Sequence, residues 1–295
     1  MKIIIKEYDQ KDEIQLKMLL DLSFGEEYLL SIVRNSKFAY SAFDEERLVG
    51  VAFGWLSSFH PYCTYFRILC NPLYTMTGVE EKLLGKIESL ETIDLPLQTS
   101  IWETSVNIKE LYDKNGFKEI RRTYMPTLQV YDLKEGLKFD DEKKYILKTL
   151  AEVSSNNVLM KKLTLLVKSN YEETHKVNPV VDAKLDEWEK LILENDTVIN
   201  GSYIFLDTRG KEIIAYSFLH ESDRENSYEL GWCGCSDMMY KELIPQLIFQ
   251  HIQYSITQNV KDIIGEFDTT DSYAMEVLKT FPFSPCPTWI TYQKE

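Results

Sequence analysis

The sequence has few of the residues that hold metal ions or build disulfide frameworks. It contains four histidines and five cysteines in 295 residues, and none of the cysteines forms a C-x-x-C pair. Metal sites and disulfide scaffolds draw on several such side chains at short spacing. We therefore expect no bound metal, and we expect reduced thiols of the kind found in the cytoplasm.

Basic residues and long apolar runs are also scarce. The chain has 33 Lys and Arg against 47 Asp and Glu, which gives a net charge of -14. A nucleic-acid backbone would be repelled, so we expect no nucleic-acid partner. A cationic substrate is compatible with this charge, although many cytosolic proteins are acidic for solubility alone. Because no apolar run is long enough and the N-terminus turns polar after three isoleucines, we expect neither membrane contact nor a signal peptide.

The overall composition, with 44% hydrophobic and 27% charged residues, is that of a globular protein. The length fits two domains of about 150 residues each. In the first half, apolar alternation and helical spacing predict the order β-α-β-β-β-α-β-α-β. The predicted strands span 3–8, 38–43, 48–56, 64–70, 97–102 and 121–131, and the predicted helices span 12–22, 79–90 and 107–115.

The second half repeats much of this order. Its predicted strands span 203–206, 213–219, 228–235, 262–267 and 288–293, and its predicted helices span 145–167, 184–194, 243–256 and 273–279. Landmarks of the first half recur 165 or 166 residues later: Gly50 and Ala215, Cys70 and Cys235, Gly78 and Leu243, Phe117 and Phe283. We therefore predict two copies of one α/β fold, each a mixed sheet flanked by helices, with domains at 1–133 and 142–295 and a charged linker at 132–142.

One segment with chemical meaning follows the strand at 64–70 and reads CNPLYTMTGVEEKLL over residues 70–84. A glycine at 78 lets backbone N–H groups approach an anion, and the dipole of the following helix favours negative charge there. Glu80 places a carboxylate in the same first turn, and no Lys or Arg occurs from 68 to 81. On its own, such a loop before a helix is typical of an ordinary helix start.

A second segment, LYDKNGF, spans residues 111–117. Interpreted structurally, this segment is the end of a helix, where Tyr112 packs at the C-terminus beside the capping Gly116.

Together the two segments resemble the GNAT (GCN5-related N-acetyltransferase) family, in its tandem form with two GNAT domains per chain. The family pattern is matched at Pro72, Tyr74, Gly78, Leu83 and Leu84. Thr75 stands where the family has Arg or Gln, and Glu80 stands where it has a second small residue.

The resemblance implies an acetyl-CoA-dependent N-acetyltransferase that acts in the N-terminal domain on a primary amine of a small molecule or peptide. It implies that Tyr112 is the general acid that protonates the departing coenzyme A thiolate. It also implies a coenzyme-binding set of Leu69, Cys70, Asn71, Thr75, Met76, Thr77, Gly78, Val79 and Glu80. For a general base, Glu103 is a candidate, and a solvated surface glutamate is the competing interpretation.

The second half keeps less of the pattern. Its loop at 236–247 has no glycine, Leu278 replaces the tyrosine and Pro282 replaces the glycine at the helix end. The segment ELGW at 229–232 resembles tandem members of the family. This favours a non-catalytic C-terminal domain that shapes a substrate cleft. Two alternatives stay open: a catalytically inactive GNAT-fold binding or regulatory protein, and a scaffold acting through the helices of 142–200.

Overall fold

The computed structural model describes residues 2–22, 28–75, 77–93, 95–131 and 145–295. The strands are β1 Ile3–Glu7, β2 Phe38–Asp44, β3 Arg47–Trp55, β4 Thr64–Cys70, β5 Leu97–Trp102, β6 Lys118–Tyr124, β7 Thr127–Gln129, β8 Ile146–Thr149, β9 Tyr203–Leu206, β10 Ile213–Glu221, β11 Ser227–Cys235, β12 Asp262–Ile264, β13 Phe267–Asp268 and β14 Thr288–Lys294. The helices are α1 Glu13–Leu22, α2 Tyr28–Arg34, α3 Val79–Glu88, α4 Val106–Lys114, α5 Leu150–Ser154, α6 Asn157–Thr174, α7 Leu185–Ile192, α8 Ile244–Thr257 and α9 Ser272–Thr280.

The chain divides into two compact units. The first comprises Met1–Arg121, Asn178–Val181 and Trp289–Glu295, and the second comprises Arg122–Val177 and Asp182–Thr288. The predicted linker at 132–142 and the predicted limits at 133 and 142 lie outside the described residues, so these boundaries stay predictions. Both units are mixed α/β structures with sheets flanked by helices, which confirms the predicted fold class.

In the first unit the sheet has the strand order β1-β2-β3-β4-β5-β14-β6. One face carries α1 and α2, whose buried leucines pack with Phe43, Val51 and Phe53. The other face carries α3 and α4, which pack on Phe66, Ile68 and Ile101 among others. We call these the α1–α2 face and the α3–α4 face. Burial on both sides explains why β3 is apolar from Leu48 to Phe53 instead of alternating.

The strand β14 comes from the far end of the sequence. It pairs antiparallel with β5 from Trp289 opposite Trp102 to Lys294 opposite Leu97. The sequence predicts a strand at 288–293, and the structure has one, but its partner is in the first unit. The repeat pattern places this strand in the second copy because periodicity identifies a strand without identifying its neighbour.

The second unit has a sheet of strand order β7-β12-β11-β10-β9-β8. Helices α8 and α9 supply much of a buried apolar cluster with Ala215, Cys235 and Ile263. Helix α6 packs against β10 and β11. The five cysteines of the chain are free thiols, and of the described helices none is both long and apolar enough to cross a bilayer.

Three predicted elements differ from the observed ones. The strand predicted at 262–267 is two short strands, β12 and β13. The strand predicted at 121–131 is two strands, β6 and β7, separated at Met125 and Pro126, because proline has no N–H to donate to a ladder. Where one helix is predicted at 145–167, the structure has the strand β8 and then two helices, α5 and α6. Thr149 starts α5 with a capping box in which its hydroxyl accepts from the Glu152 N–H and the Glu152 carboxylate accepts from the Thr149 N–H.

Candidate functional site

A gap opens within the sheet of the first unit between β4 and β5. These parallel strands pair at Thr64 with Leu97 and at Tyr65 with Gln98, and no further pair joins them in the described part of the chain. Beyond that point β4 stays paired with β3 on its other edge, up to Cys70 opposite Gly50. The two strands therefore diverge toward their C-terminal ends and leave one edge of β4 facing the gap.

The edge of β4 offers backbone donors to this gap. The N–H of Asn71 donates to the Val49 carbonyl on the β3 side at 2.8 Å. Because successive N–H groups of a strand point to opposite edges, the N–H groups of Ile68 and Cys70 point into the gap. Such paired amides can stabilise negative charge on a carbonyl oxygen that enters the gap.

A cavity of about 380 Å³ fills the gap and is lined from both faces of the sheet. Side chains of a strand alternate between faces. Because Phe66 and Ile68 belong to the α3–α4 core, Arg67 and Leu69 point to the α1–α2 face. The cavity lining includes Arg67 and Leu69 on one side and Ile68 and Cys70 on the other. It thus reaches from one face of the sheet to the other.

Among the described residues that line the cavity, Arg67 and Glu80 are the charged ones. Arg67 spans the gap: its guanidinium donates to the Ser100 carbonyl of β5. The same guanidinium lies 4.8 Å from the centroid of the Trp289 ring. Trp289 in turn meets Trp102 edge-to-face at 4.6 Å. These contacts hold a cation in a fixed position beside two indole rings.

Glycines position the start of α3 at the C-terminal end of β4. Gly50 on β3 allows the close approach, since a Cβ there would lie 2.8 Å from Val79 Cγ1. Val79, the first residue of α3, is fully buried. Gly78 immediately before it has φ of +80°, the left-handed region that favours glycine. The helix N-terminus is thereby set against the end of the gap.

Glu80 lies in the first turn of α3 and lines the cavity. Burial raises the pKa of its carboxyl, and the neighbouring charge of Glu81 raises it further. The opposing influences on this pKa are its own backbone N–H and the Cys70 thiol, which both stabilise the carboxylate. Burial raises the pKa of the Cys70 thiol, and the charge of Glu80 raises it further. The carboxylate therefore occupies the helix start that an anionic ligand would use.

The remaining residues of the predicted coenzyme-binding set divide between cavity and loop. Leu69 and Thr75 line the cavity with Cys70 and Glu80. Asn71 is buried, and its side chain accepts from the Leu73 N–H at 3.0 Å. The hydroxyl of Thr77 donates to the Tyr74 carbonyl, within the loop. Met76 lies outside the described residues.

The cavity suits the acyl and pantetheine parts of acetyl-CoA better than the loop suits its diphosphate. The gap between β4 and β5 is apolar along Ile68, Leu69 and Ile101 and presents the backbone donors of β4, which suits an acyl thioester and its pantetheine arm. Residues 71–81, which form the loop and the start of α3, include Glu80 and Glu81 and no Lys or Arg. From these residues the diphosphate of coenzyme A would gain only backbone N–H groups and the helix dipole.

Tyr112 lies in the core of the α3–α4 face and is 1% exposed. Its ring packs edge-to-face on Phe66, with centroids 5.8 Å apart, and lies 5.9 Å from Tyr292. Burial raises the pKa of the phenol well above its usual range, Thr99 and Arg67 lower it, and Glu80 raises it. Tyr112 is not among the described residues that line the cavity. Its role as an acid stays a prediction.

Sequence reasoning missed the residues that the α1–α2 face brings to the cavity: Tyr28, Leu29, Arg67, Trp102 and Trp289. Arg67 carried a usable signal, because it is a lone charge in the apolar strand TYFRILC. Trp289 carried none, since its approach depends on the pairing of β14 with β5. Glu103, the suggested base, is exposed in the turn after β5 and is not part of the described cavity lining.

The second unit also has two parallel strands of which one extends beyond the other, but the loop that follows lacks the glycine found in the first unit. Strands β11 and β12 pair in parallel from Ser227 to Glu229, and β11 then continues to Cys235. The following loop forms a short 3-10 helix capped by Asp237, with Met238 and Met239 exposed. No group of three or more His, Cys, Asp or Glu side chains that could hold a metal ion occurs in the described ranges.

Comparisons with known proteins agree with this geometry at the level of the fold. No protein-family model matches the chain, and no curated protein matches it in sequence. Among solved structures, it is similar to a GCN5-related N-acetyltransferase from Sphaerobacter thermophilus, with a TM-score of 0.65 and 11% identity over 99% of this chain and 95% of the other.

Two further structures extend the comparison. A tandem GNAT protein from the clavulanic acid biosynthesis pathway matches with a TM-score of 0.57 and 11% identity, over 100% of this chain and 98% of the other. A GCN5-related glucosamine N-acetyltransferase region of a fungal multi-domain beta-N-acetylglucosaminidase matches with a TM-score of 0.65 and 12% identity, over 99% of this chain and 38% of the other. The resemblance predicted from the sequence is confirmed for the fold: the chain has the fold of the GNAT N-acetyltransferases, in the tandem form with two such domains.

Proposed function

We propose that the chain is an acetyl-CoA-dependent N-acetyltransferase, that transfer takes place in the first unit, and that the acceptor is a primary amine of a small molecule or peptide. The observation that carries the proposal is the gap between β4 and β5, with a cavity lined from both faces of the sheet. A cavity of this kind admits a thioester from the face of α3 and an amine from the opposite face. A cytoplasmic location, expected from the reduced thiols, is part of the proposal.

The chain's own groups have limited tasks in such a transfer. The amine nitrogen bonds to the thioester carbonyl carbon, and the carbon–sulfur bond then breaks. The N–H groups of Ile68 and Cys70 stabilise the negative charge on the carbonyl oxygen. Tyr112, whose pKa is raised by burial, keeps its proton at neutral pH and supplies it to the departing thiolate. The ammonium group loses one proton to solvent before the attack, and the second proton that the nitrogen loses after the attack restores the Tyr112 phenol.

A second candidate function is supported by Glu80. Its carboxylate lies at the start of α3 and is stabilised there by its own N–H. A GNAT-fold binding or regulatory protein without transferase activity would have no need to keep that helix start open for a diphosphate. The two candidates differ in whether coenzyme A binds.

Binding of acetyl-CoA to the full-length chain separates these candidates. We expect millimolar acetyl-CoA to raise the melting temperature and isothermal calorimetry to detect binding, because a ligand that binds only the native state stabilises it. Absence of both effects would exclude the enzyme and favour the binding protein.

The role of Tyr112 is tested by Tyr112→Phe, with Tyr292→Phe as a matched control from the same aromatic cluster. We expect Tyr112→Phe to lower kcat about 100-fold with little change in coenzyme affinity, since general acid catalysis contributes about this much. Tyr292→Phe should leave kcat within about threefold of the wild-type value under the same rule. Equal kcat values for the two variants would remove Tyr112 from the mechanism.

A further inference from the structure

Large apolar side chains line the cavity and are at the same time exposed to solvent. Tyr28 is 53% exposed, Trp102 38% and Val106 55%, and all three belong to the cavity lining. Apolar side chains that remain in water around a cavity mark a surface that a ligand covers. The transfer steps assign no role to these side chains. They therefore indicate a ligand with an apolar part.

Trp102 lies on the side of the sheet opposite the start of α3. It follows Ile101, which belongs to the α3–α4 core, so its own side chain points to the α1–α2 face. Trp289 is directly opposite Trp102 in the β5–β14 register, and the two rings meet edge-to-face at 4.6 Å. This contact holds the Trp102 ring in a fixed orientation. A donor held at α3 leaves this face to the acceptor, because the amine must attack while the donor is in place.

The position of Trp102 along the gap matches that of the backbone donors of β4. The strands β4 and β5 pair at Thr64 with Leu97, and Leu69 and Trp102 each lie five residues further along their strand. Leu69 and Trp102 are therefore level with each other across the gap. The two N–H groups that point into the gap lie on either side of Leu69. An amine that attacks a carbonyl held by these N–H groups places its next atoms beside Trp102.

We propose that the acceptor is a primary amine joined by a short alkyl chain to an aromatic ring, and that Trp102 binds this ring and determines the choice of acceptor. The assignment rests on the proposed function for the amine as the reacting group. Aromatic rings favour edge-to-face or offset-stacked contacts, which add to the gain from burial. The ammonium form of such an acceptor carries one positive charge, which the net charge of -14 attracts.

Acetyl transfer to matched acceptors tests this assignment. The acceptors are phenethylamine and ethylamine, which differ only in the ring, each with acetyl-CoA and the full-length chain. We expect Trp102→Ala to lower kcat/KM for phenethylamine about 10- to 100-fold, because the ring loses its apolar partner, and to change ethylamine less than about threefold. Comparing the variant with the wild type for each amine cancels its intrinsic reactivity. If both amines lose the same factor, Trp102 only supports the pairing of β5 with β14 and the proposal is wrong.

Two further variants serve as matched controls. Trp102→Phe keeps an aromatic ring and should retain most of the preference for phenethylamine. Tyr62→Ala removes an aromatic side chain that is 50% exposed in the same unit and is not among the described residues of the cavity lining. It should leave the rates with both amines unchanged. Circular dichroism of each variant checks that it is folded.

An apolar group that is not aromatic could fill the same space, and cyclohexylethylamine tests this alternative. We expect Trp102→Ala to cost this amine about 3- to 10-fold less in kcat/KM than it costs phenethylamine, because contacts between aromatic rings add to burial. Equal losses would replace the aromatic ring by any apolar group and overturn the assignment.

An aromatic ring could also enter on the acyl group, and phenylacetyl-CoA tests that source. With ethylamine as acceptor, we expect Trp102→Ala to change the rates with acetyl-CoA and phenylacetyl-CoA alike. A selective loss with phenylacetyl-CoA would place the ring on the donor and overturn the assignment to the acceptor.

Calorimetry keeps this inference separate from the proposed function. The probes are N-phenethylacetamide and N-ethylacetamide, which differ only in the ring. We expect the wild type to bind the first about tenfold more tightly, and Trp102→Ala to abolish the difference. If no amine is acetylated, the proposed function fails, while this difference still supports an aromatic-binding site at Trp102. Equal binding of both probes by the wild type, or binding of neither, overturns the inference about Trp102.

Discussion

At the residue scale, Glu80 and Arg67 give the cavity opposite charges on opposite sides of one sheet. Cys70 on β4 packs against the α3–α4 core and interacts with Glu80, whereas Arg67, three residues earlier, points to the other face. A strand places consecutive side chains on alternate faces, so an odd spacing is sufficient for this separation. The charge on the α3–α4 side of the cavity and the charge on the α1–α2 side can therefore be changed independently.

The carboxylate of Glu80 should oppose coenzyme binding. We expect Glu80→Gln to tighten coenzyme A binding about tenfold, because it removes a charge beside the helix start with little change in size. For the wild type, affinity should rise as the pH falls, since protonation of Glu80 removes the same charge and its pKa is raised. Isothermal calorimetry between pH 5 and pH 8 measures both effects. Glu91→Gln, at an exposed position, is the control, and weaker binding by Glu80→Gln would contradict the argument.

Asp271 in the second unit should make stability depend on pH. Its side chain caps α9 by accepting from the N–H groups of Tyr273 and Ala274. Burial raises the pKa of this carboxyl to about 6 from 3.8. Between these values the native state holds more protons than the unfolded state, so stability falls as pH rises from about 4 to about 6.

Asp271→Asn keeps an acceptor for the cap and removes the charge. We expect the variant to be more stable than the wild type at pH 7.5, by about 1 to 2 kcal/mol, and to lose most of the advantage at pH 4. Urea unfolding followed by circular dichroism at both pH values measures this. Asp223→Asn, at an exposed residue, should show no such difference. A destabilised Asp271→Asn at pH 7.5 would mean that the ionised cap contributes more than its burial costs.

At the element scale, the strands were the most predictable part of the fold. Strands β4, β5 and β9 have the bounds that alternation and apolar runs predict. Helix α2 was not predicted: it has seven residues, too few for a clear period. The splitting of β6 from β7 and the strand β8 were missed because a proline and a capping box override an apolar pattern.

The candidate site was predictable where it depends on local sequence. Gly78 and Glu80 follow β4 directly, and their loop-to-helix position could be interpreted from the chain alone. The α1–α2 side of the cavity could not, because Trp289 reaches β5 through a pairing across 187 residues of sequence. Nothing in the local pattern around Trp289 encodes that partner.

The pairing of β14 with β5 predicts that residues 1–135 do not fold alone. Without β14, the buried Ile290 and Tyr292 are missing from the α3–α4 core, and β5 loses its partner on that edge. We expect the fragment to lack a cooperative thermal transition by circular dichroism. The same fragment joined to residues 286–295 by a flexible Gly/Ser linker should recover one. A cooperative transition in the shorter fragment would show that β14 is dispensable.

At the scale of the whole molecule, the net charge of -14 surrounds a site proposed to bind a polyanion. Salt screens such repulsion, since the Debye length falls from about 10 Å at 0.1 M to about 3 Å at 1 M. We therefore expect acetyl-CoA to bind more tightly as KCl is raised from about 50 to about 300 mM. Calorimetry measures this, and acetyl-pantetheine, which has no phosphate, should show little salt dependence. Weaker binding at higher salt would indicate a cationic phosphate site.

The position of β14 in the sheet of the first unit also affects how the chain folds during synthesis. A ribosome releases residues 1–121 long before residue 289 exists, so the nascent first unit has an unfinished sheet with an open edge on β5. Contacts of such long sequence separation slow folding, and unpaired edges invite aggregation during synthesis. Completion of the first unit must therefore wait until residue 294 has been synthesised.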